Sequence, residues 1–147
     1  RRWAGDASRR VLDVGSGAGL PGLVIAASMP TLDVTCVDTV GKKASFIRQA
    51  AAELRVGNLH AVHSRVEALA EPPFALITAR AFASLTDFVA LTRDRLAPGG
   101  VWLAMKGKTP SDEIDALPNE IDVFHVEQLL VPGLDADRCL VWMRKRH

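Results

Sequence analysis

Two spacings of apolar residues alternate along most of this chain. Continuous apolar runs predict buried strands at about 10–14, 33–38, 59–63, 74–79 and 99–106. Apolar residues at helical spacing predict helices between them, at about 21–29, 41–55, 84–96 and 110–117. Because strands and helices alternate, the sequence predicts an α/β fold with a mostly parallel sheet.

The second predicted helix shows the helical spacing most clearly. Its apolar residues recur at i, i+1, i+4, i+5 and i+8 and predict one buried face: Phe46, Ile47, Ala50, Ala51 and Leu54. Gly57 and Asn58 end this helix. Further on, the sequence Pro-Gly-Gly at 98–100 predicts a turn into the fifth strand.

The last third of the chain has a different pattern. Two strand-like runs, at about 123–131 and 139–144, are joined by a short polar segment with proline and glycine at 132–137. A connection of this kind joins antiparallel neighbours. We therefore expect the sheet to end in an antiparallel hairpin.

A glycine-rich loop follows the first predicted strand. Residues 11–22 read Val-Leu-Asp-Val-Gly-Ser-Gly-Ala-Gly-Leu-Pro-Gly, and the second strand ends in Asp38. The order of strand, glycine loop, helix, strand and acid predicts a nucleoside site. In such a site the glycines let the backbone approach the ligand, and the acid accepts hydrogen bonds from the ribose hydroxyls.

The kind of nucleotide depends on Asp13, which lies two residues before Gly15. Residues 17–22 satisfy G-x-G-x-x-G, so an NAD(P)-dependent oxidoreductase is one alternative. An acid beside the loop would repel a pyrophosphate, however. The stretch from Asp13 to Gly19 resembles the first motif of class I S-adenosylmethionine-dependent methyltransferases, and the terminal hairpin is typical of them. The resemblance implies that Asp13 faces the cationic amino group of the cofactor.

Length and composition indicate an ordinary globular protein. The chain has 147 residues, 48% hydrophobic and 24% charged, so we expect one domain over 1–147. It has no apolar run of 18 residues and no signal peptide, which predicts a cytoplasmic protein without membrane contact. We expect no metal site, because Cys36, Cys139 and the histidines show no ligand spacing, and separately we expect a monomer. The chain begins at Arg1, so we expect that an amino-terminal part is absent.

Charge is unevenly distributed although the net charge is only +1. Basic residues open the chain, open the second predicted helix and close the chain: Arg1, Arg2, Arg9, Arg10, Lys42, Lys43, Arg48, Arg144, Lys145, Arg146 and His147. Acids gather instead at Asp112, Glu113, Asp115, Glu120 and Asp122. Such segregation permits a basic face for nucleic acid. Solvated chain ends are the alternative.

Six short motifs make the resemblance specific. They are Gly-Leu-Pro-Gly at 19–22, Gly-Lys-Lys at 41–43, Ser-Arg-Val-Glu at 64–67, Ala-Arg-Ala-Phe-Ala at 79–83, Lys-Gly at 106–107 and Val-Pro-Gly-Leu at 131–134. Together they resemble the bacterial RsmG family, also called glucose-inhibited division protein B. That resemblance implies a Rossmann-like class I fold with sheet order 3-2-1-4-5-7-6. It also implies methyl transfer from S-adenosylmethionine to N7 of a guanine in 16S ribosomal RNA, free or in the small-subunit particle. The family usually has a further helical segment before the first strand, which is not expected here.

The resemblance also implies roles for single residues. In the cofactor site, Gly15, Gly17 and Leu20 would wrap the methionine portion, and Val66 and Glu67 would flank the adenine. Glu67 has a plainer alternative as an acid at a helix start. Arg80 would orient the cofactor or the guanine, although it could also cap a carbonyl or pair with Asp87.

Guanine N7 carries no proton, so methyl transfer needs no general base. Because N7 and O6 form the edge that Arg and Lys read, we expect Arg80, Lys106 and Arg138 to hold the guanine. For RNA binding we expect Lys42, Lys43, Lys106 and Arg138. Lys106 and Arg138 could instead be solvated strand ends. A non-catalytic RNA-binding domain with this fold is the second alternative function.

Overall fold

The computed structural model describes residues 7–15, 22–69, 73–80, 84–129 and 138–146. In them seven strands form one sheet, in the order β3-β2-β1-β4-β5-β7-β6. The predicted α/β class and strand order are confirmed. The strands are β1 (Arg10–Val14), β2 (Asp33–Asp38), β3 (Leu59–His63), β4 (Phe74–Arg80), β5 (Leu96–Lys106), β6 (Ile121–Leu129) and β7 (Arg138–Lys145).

Four α-helices lie between the strands: α1 (Gly22–Ser28), α2 (Gly41–Glu53), α3 (Leu85–Thr92) and α4 (Ser111–Asp115). The Oγ of Ser84 caps α3 by accepting a hydrogen bond from the Asp87 amide at 3.0 Å. The prediction that this helix continues to residue 96 is wrong. A 3-10 turn follows α3, and Leu96 already pairs with Phe74 in the sheet.

The strands differ in direction. The first five strands are parallel to one another, whereas β7 is antiparallel to both β5 and β6. The predicted antiparallel hairpin is confirmed, and its connection at 130–137 lies outside the described residues. Because β7 runs backwards, its first residue lies at the edge where β1 to β5 end. We call this edge the carboxyl edge.

The Pro-Gly-Gly segment at 98–100 lies within β5, so its prediction as a turn before the strand is wrong. Leu96 pairs with Phe74, and the register then shifts before Val101 pairs with Leu76. Gly99 has φ of +78°, a conformation that glycine adopts without strain. The segment is therefore an irregularity that β5 absorbs without leaving the sheet.

Apolar side chains cover both faces of the sheet. One cluster lies mainly on the α3 side and centres on the fully buried Phe74, Phe88 and Trp102. The other lies on the α1 and α2 side and includes Ala26 and Ile47. Cys36 belongs to that second cluster and is buried in it.

The buried face of α2 differs from the prediction. Ala44, Ile47 and Ala51 are buried, whereas Phe46 is 56% exposed and Leu54 is 63% exposed. Adjacent helical residues are about 100° apart, so a face centred on Ile47 directs Phe46 away from the sheet. Small residues on both sides of Ile47 keep this helix close to β2 and β3. The assignment of Phe46 and Leu54 to the core is wrong.

Candidate functional site

β1 lies between β2 and β4, where the order of the sheet reverses. Open α/β sheets bind ligands at the carboxyl edge near such a point. Two cavities lie at this edge. The first cavity lies at the ends of β1, β2 and β3, and the second lies at the ends of β4 and β5 and the start of β7.

The first cavity has a volume of about 190 Å³ and is lined by Val14, Gly15, Val37, Asp38, Thr39, Ser64, Val66 and Leu91. Backbone hydrogen bonds join its walls. The Gly15 amide donates to the Val37 carbonyl at 2.8 Å, and the Ser64 amide donates to the Asp38 carbonyl at 3.0 Å. The structure thus brings together three residues predicted for the cofactor, namely Gly15, Asp38 and Val66.

Asp38 places a buried carboxylate in the wall of this cavity. The residue is 6% exposed, and its Oδ1 accepts a hydrogen bond from the Val40 amide at 2.8 Å. This bond fixes the side chain at the end of β2. A carboxylate has about four lone-pair sites, so acceptor capacity remains for the hydroxyls of a ligand.

His63 supports the loop between β2 and α2. A Cβ on Gly41 would lie 3.1 Å from His63 Nδ1, and His63 Nε2 lies 3.0 Å from the Thr39 carbonyl oxygen. The histidine ring therefore fixes the segment that follows Asp38. This role was not predicted from the sequence, although Asp38 and His63 are paired in register at the ends of neighbouring strands.

Val66 is buried and opens a 3-10 turn beside the first cavity. The first amide of such a turn has no acceptor within the turn, which suits the predicted position of Val66 beside the adenine. The side chain of Glu67 lies outside the described residues, as do Gly17 and Leu20. Their contacts with the cofactor stay predictions.

Asp13 lies beneath the glycine-rich loop and is fully buried. Its Oδ2 accepts a hydrogen bond from the Gly22 amide at 2.7 Å, and its Oδ1 accepts one from Thr78 Oγ1 at 3.1 Å. A Cβ on Gly22 would lie 2.6 Å from Asp13 Oδ2 and 2.5 Å from Cys36 Sγ. Asp13 thus ties the start of α1 to β1 and β4. Its predicted contact with the amino group of the cofactor stays a prediction.

The second cavity has a volume of about 290 Å³ and is lined by Arg80, Met105, Lys106, Gly107 and Arg138. It brings together the three cations that the sequence analysis assigned to the guanine. Cys139 pairs with Lys106 across the antiparallel β5–β7 ladder, and this register places Arg138 beside the end of β5. No ion pair joins Arg80 to Asp87 within the described ranges.

Lys106 is held by an acid from α4. Its Nζ lies 2.9 Å from Glu113 Oε1, and the two side chains are 11% and 32% exposed. The same oxygen accepts a hydrogen bond from the Leu85 amide at 2.8 Å. The alternative of Lys106 as a solvated strand end is therefore wrong. In the sequence, Glu113 is one acid in a cluster, and its contact with Lys106 was not predicted.

Two further acids, Glu120 and Asp122, contact cations that follow α3 or lie near the end of the chain. Glu120 pairs with Arg93 at 3.1 Å, and Asp122 pairs with Arg144 at 3.1 Å and with Arg146 at 3.7 Å. Glu120 and Asp122 therefore neutralise neighbouring cations. Exposed pairs of this kind contribute about 0–1 kcal/mol each to stability.

Lys42 and Lys43 differ from Lys106 in their surroundings. Both are exposed in the first turn of α2, directly after the carboxyl edge, and neither forms an ion pair with another described residue. The exposed Phe46 follows them by one helical turn. Residues three and four apart share a helix face, so two cations and an aromatic ring lie together beside the first cavity.

Two expected absences concern the described residues only. No helix in that part of the chain is long and apolar enough to cross a membrane. Among the same residues, no three His, Cys, Asp or Glu side chains form a group that could hold a metal ion. The expectation that the protein needs no metal stays a prediction.

Comparison with known sequences gives a consistent family. Residues 3–141 match the family model described as GidB, rRNA small subunit methyltransferase G. A curated relative from Leptothrix cholodnii, named Ribosomal RNA small subunit methyltransferase G, is 66% identical over 99% of this chain and 66% of its own length. One of the same name from Paracidovorax citrulli is 63% identical over 97% of this chain and 59% of its own. The chain thus spans somewhat less than two thirds of these relatives.

Solved structures agree on the fold. TrmN from Thermus thermophilus is similar with a TM-score of 0.77 at 23% identity, over 94% of this chain and 44% of that one. A ribosomal protein L11 methylase from Lactobacillus delbrueckii subsp. bulgaricus has a TM-score of 0.73 at 17% identity, over 98% and 73% of the two chains. The predicted class I methyltransferase fold is confirmed.

Proposed function

Because this chain belongs to the family described as rRNA small subunit methyltransferase G, we propose that it methylates N7 of a guanine in 16S ribosomal RNA. S-adenosylmethionine is the methyl donor. One observation carries the proposal: two cavities of different chemistry lie at the same sheet edge. One contains a buried carboxylate beside a glycine, and the other contains three cations.

The first cavity suits the adenosine part of the cofactor. Asp38 accepts hydrogen bonds from the ribose hydroxyls, and the Val66 amide and the Leu91 side chain flank the adenine. Gly15 has φ of +62° and exposes its backbone where the ligand approaches. Asp13 supports this cavity indirectly, because its hydrogen bonds hold the start of α1 and β4 in place under the glycine-rich loop. When bound, the cofactor supplies an electrophilic methyl group on a sulfonium.

The second cavity suits the guanine. The guanine O6 accepts hydrogen bonds from the cationic side chains of Arg80, Lys106 and Arg138, which leaves the N7 lone pair free to bond the methyl group. N7 presents an in-plane lone pair and no proton, so these side chains need only align the base and exclude water. Alignment of two reactants contributes on the order of 7–11 kcal/mol in favourable cases.

The RNA backbone approaches across the start of α2. Lys42 and Lys43 neutralise phosphates there, and the exposed ring of Phe46 offers a surface for one unpaired base. An aromatic ring stacks any base, so Phe46 adds affinity without sequence preference. The substrate is 16S RNA, free or in the small-subunit particle, and the enzyme works as a cytoplasmic monomer.

The test is methyl transfer from labelled S-adenosylmethionine to unmodified 16S RNA and, separately, to small-subunit particles, followed by mapping of the methyl group. We expect a single labelled guanine with the methyl on N7. RNA binding without transfer at saturating cofactor would favour the non-catalytic RNA-binding domain. A fluorescence titration that detects NADH binding would favour the oxidoreductase.

A further inference from the structure

Glu113 joins three elements around the second cavity. Its Oε1 lies 2.9 Å from Lys106 Nζ at the end of β5 and accepts the Leu85 amide at the start of α3 at 2.8 Å. Glu113 itself belongs to the short helix α4. One carboxylate oxygen therefore sets the position of a lysine ammonium relative to two helices.

We propose that Glu113 is a positioning residue that holds Lys106 Nζ at the second cavity. The proposal rests on the proposed function, in which Lys106 contacts the guanine. A lysine has four flexible methylenes and can direct its ammonium widely. With its side chain only 11% exposed and its charge paired, Lys106 keeps one direction. Such preorganisation is what a donor to a reacting base requires.

The ion pair also changes how Lys106 acts on RNA. The ion pair of Lys106 and Glu113 has no net charge. Its contact with RNA would therefore release few counterions from the phosphates. Lys42 and Lys43 have no such partner among the described residues. Lys106 therefore serves as a directed hydrogen-bond donor, and the lysines of α2 serve as phosphate contacts.

Glu113→Gln separates positioning from support of the fold. The amide oxygen of glutamine still accepts the Leu85 N–H, but the charge that holds Lys106 is lost. We expect kcat to fall about tenfold, the size of one charge-assisted hydrogen bond, with the KM for the cofactor unchanged. Asp112→Asn, on the same helix and exposed, is the matched control and should match the wild type.

A double-mutant cycle with Lys106→Ala tests whether Glu113 acts through Lys106. If it does, Glu113→Gln has no further effect on kcat when Lys106 is already alanine. A full additional tenfold loss in that background would overturn the proposal. A loss of kcat in Asp112→Asn equal to that in Glu113→Gln would overturn it as well.

A second readout is independent of methyl transfer. Acetic anhydride modifies lysines according to their access, and mass spectrometry gives the rate at each position. We expect Lys106 in the wild-type chain to react at least tenfold more slowly than the exposed Lys108, and severalfold faster after Glu113→Gln. Equal rates at Lys106 and Lys108 in the wild type would overturn the proposal even if the variant does not fold.

The two proposals fail in different ways. If the wild-type chain transfers no methyl group to RNA, the proposed function fails, and slow acetylation of Lys106 still supports its fixation by Glu113. If transfer is normal but Glu113→Gln changes neither kcat nor the acetylation of Lys106, only the positioning role fails.

Discussion

The first cavity is lined by backbone and by four buried residues, Val14, Val37, Asp38 and Val66, together with more exposed ones, whereas the second is lined mainly by long cations that remain partly or fully exposed. Backbone hydrogen bonds between strand ends fix the first. An ion pair and an antiparallel register fix the second. Under the proposed function, this difference means that one sheet edge holds the cofactor mainly through its main chain and the RNA mainly through its side chains.

The largest effect is expected from Arg80→Ala. If Arg80 orients the reacting groups, methyl transfer should fall by about a hundredfold or more, as for loss of a preorganised donor, while RNA affinity falls only modestly. Single-turnover transfer and filter binding on the same protein separate these quantities. Arg144→Ala, at the opposite end of the sheet, is the matched control. Equal losses of methyl transfer and of RNA affinity would indicate that Arg80 is a phosphate contact. A transfer rate near that of the wild type would indicate a structural role.

Gly22→Ala tests the support beneath the first cavity. The new Cβ would meet Asp13 and Cys36 at distances that require both to move, and overpacking of this kind costs about 1–3 kcal/mol. Urea unfolding should show this loss. Gly57→Ala is the control, because a Cβ there meets nothing within 4 Å. Equal stability of the two variants would contradict the close packing of α1 on Asp13.

Asp38→Ala tests the ribose contact. We expect cofactor affinity, measured by calorimetry, to fall by about 1–3 kcal/mol because hydrogen bonds to a charged acceptor are lost. RNA affinity should remain at the wild-type value, since Asp38 lies in the first cavity. Unchanged affinity for the cofactor would remove the ribose assignment.

Lys43→Ala should have a smaller effect that appears in salt dependence. Loss of one phosphate contact should reduce the log–log salt slope of RNA binding by about 0.7–0.9. Lys106→Ala should leave the slope nearly unchanged, because Glu113 already neutralises that lysine. Lys145→Ala, near the end of β7, is the control. A larger slope change for Lys106 than for Lys43 would reverse the roles given to them.

The smallest expected effect is on pH dependence. Since N7 carries no proton to abstract, the transfer rate should show no ionisation of a catalytic base between about pH 6 and 9. The rate should be followed on RNA whose folding is constant over this range. A sigmoidal rise that an enzyme group causes would contradict the mechanism.

The first cavity was largely predictable from the sequence because its parts are local. Asp13 and Gly15 stand in one motif, and Asp38 ends the next apolar run, so the pattern alone places them at one edge. Two features escaped prediction, the support of the β2–α2 loop by His63 and the exposure of Phe46. Phe46 satisfied the helical spacing of a core residue, and only the packing of α2 shows that it is exposed.

The second cavity was predictable only in part. Lys106 and Arg138 come together because β7 is antiparallel to β5, which the predicted hairpin implied. The contact of Glu113 with Lys106 depends on where the short helix α4 lies, and no spacing in the sequence encodes that position. Long-range side-chain contacts of this kind follow from tertiary packing and not from periodicity.

The central claim is that the first cavity binds the cofactor and the second binds the guanine of the RNA. It is tested most directly by amide-resolved NMR of the labelled chain, titrated first with S-adenosylmethionine and then with a guanine-containing RNA. The account predicts that the cofactor shifts mainly the amides of Gly15, Thr39 and Val66. The RNA should then shift mainly those of Lys106, Gly107 and Arg138. If the cofactor instead shifted the second group most, or if RNA left that group unchanged, the assignment of the two cavities would be wrong.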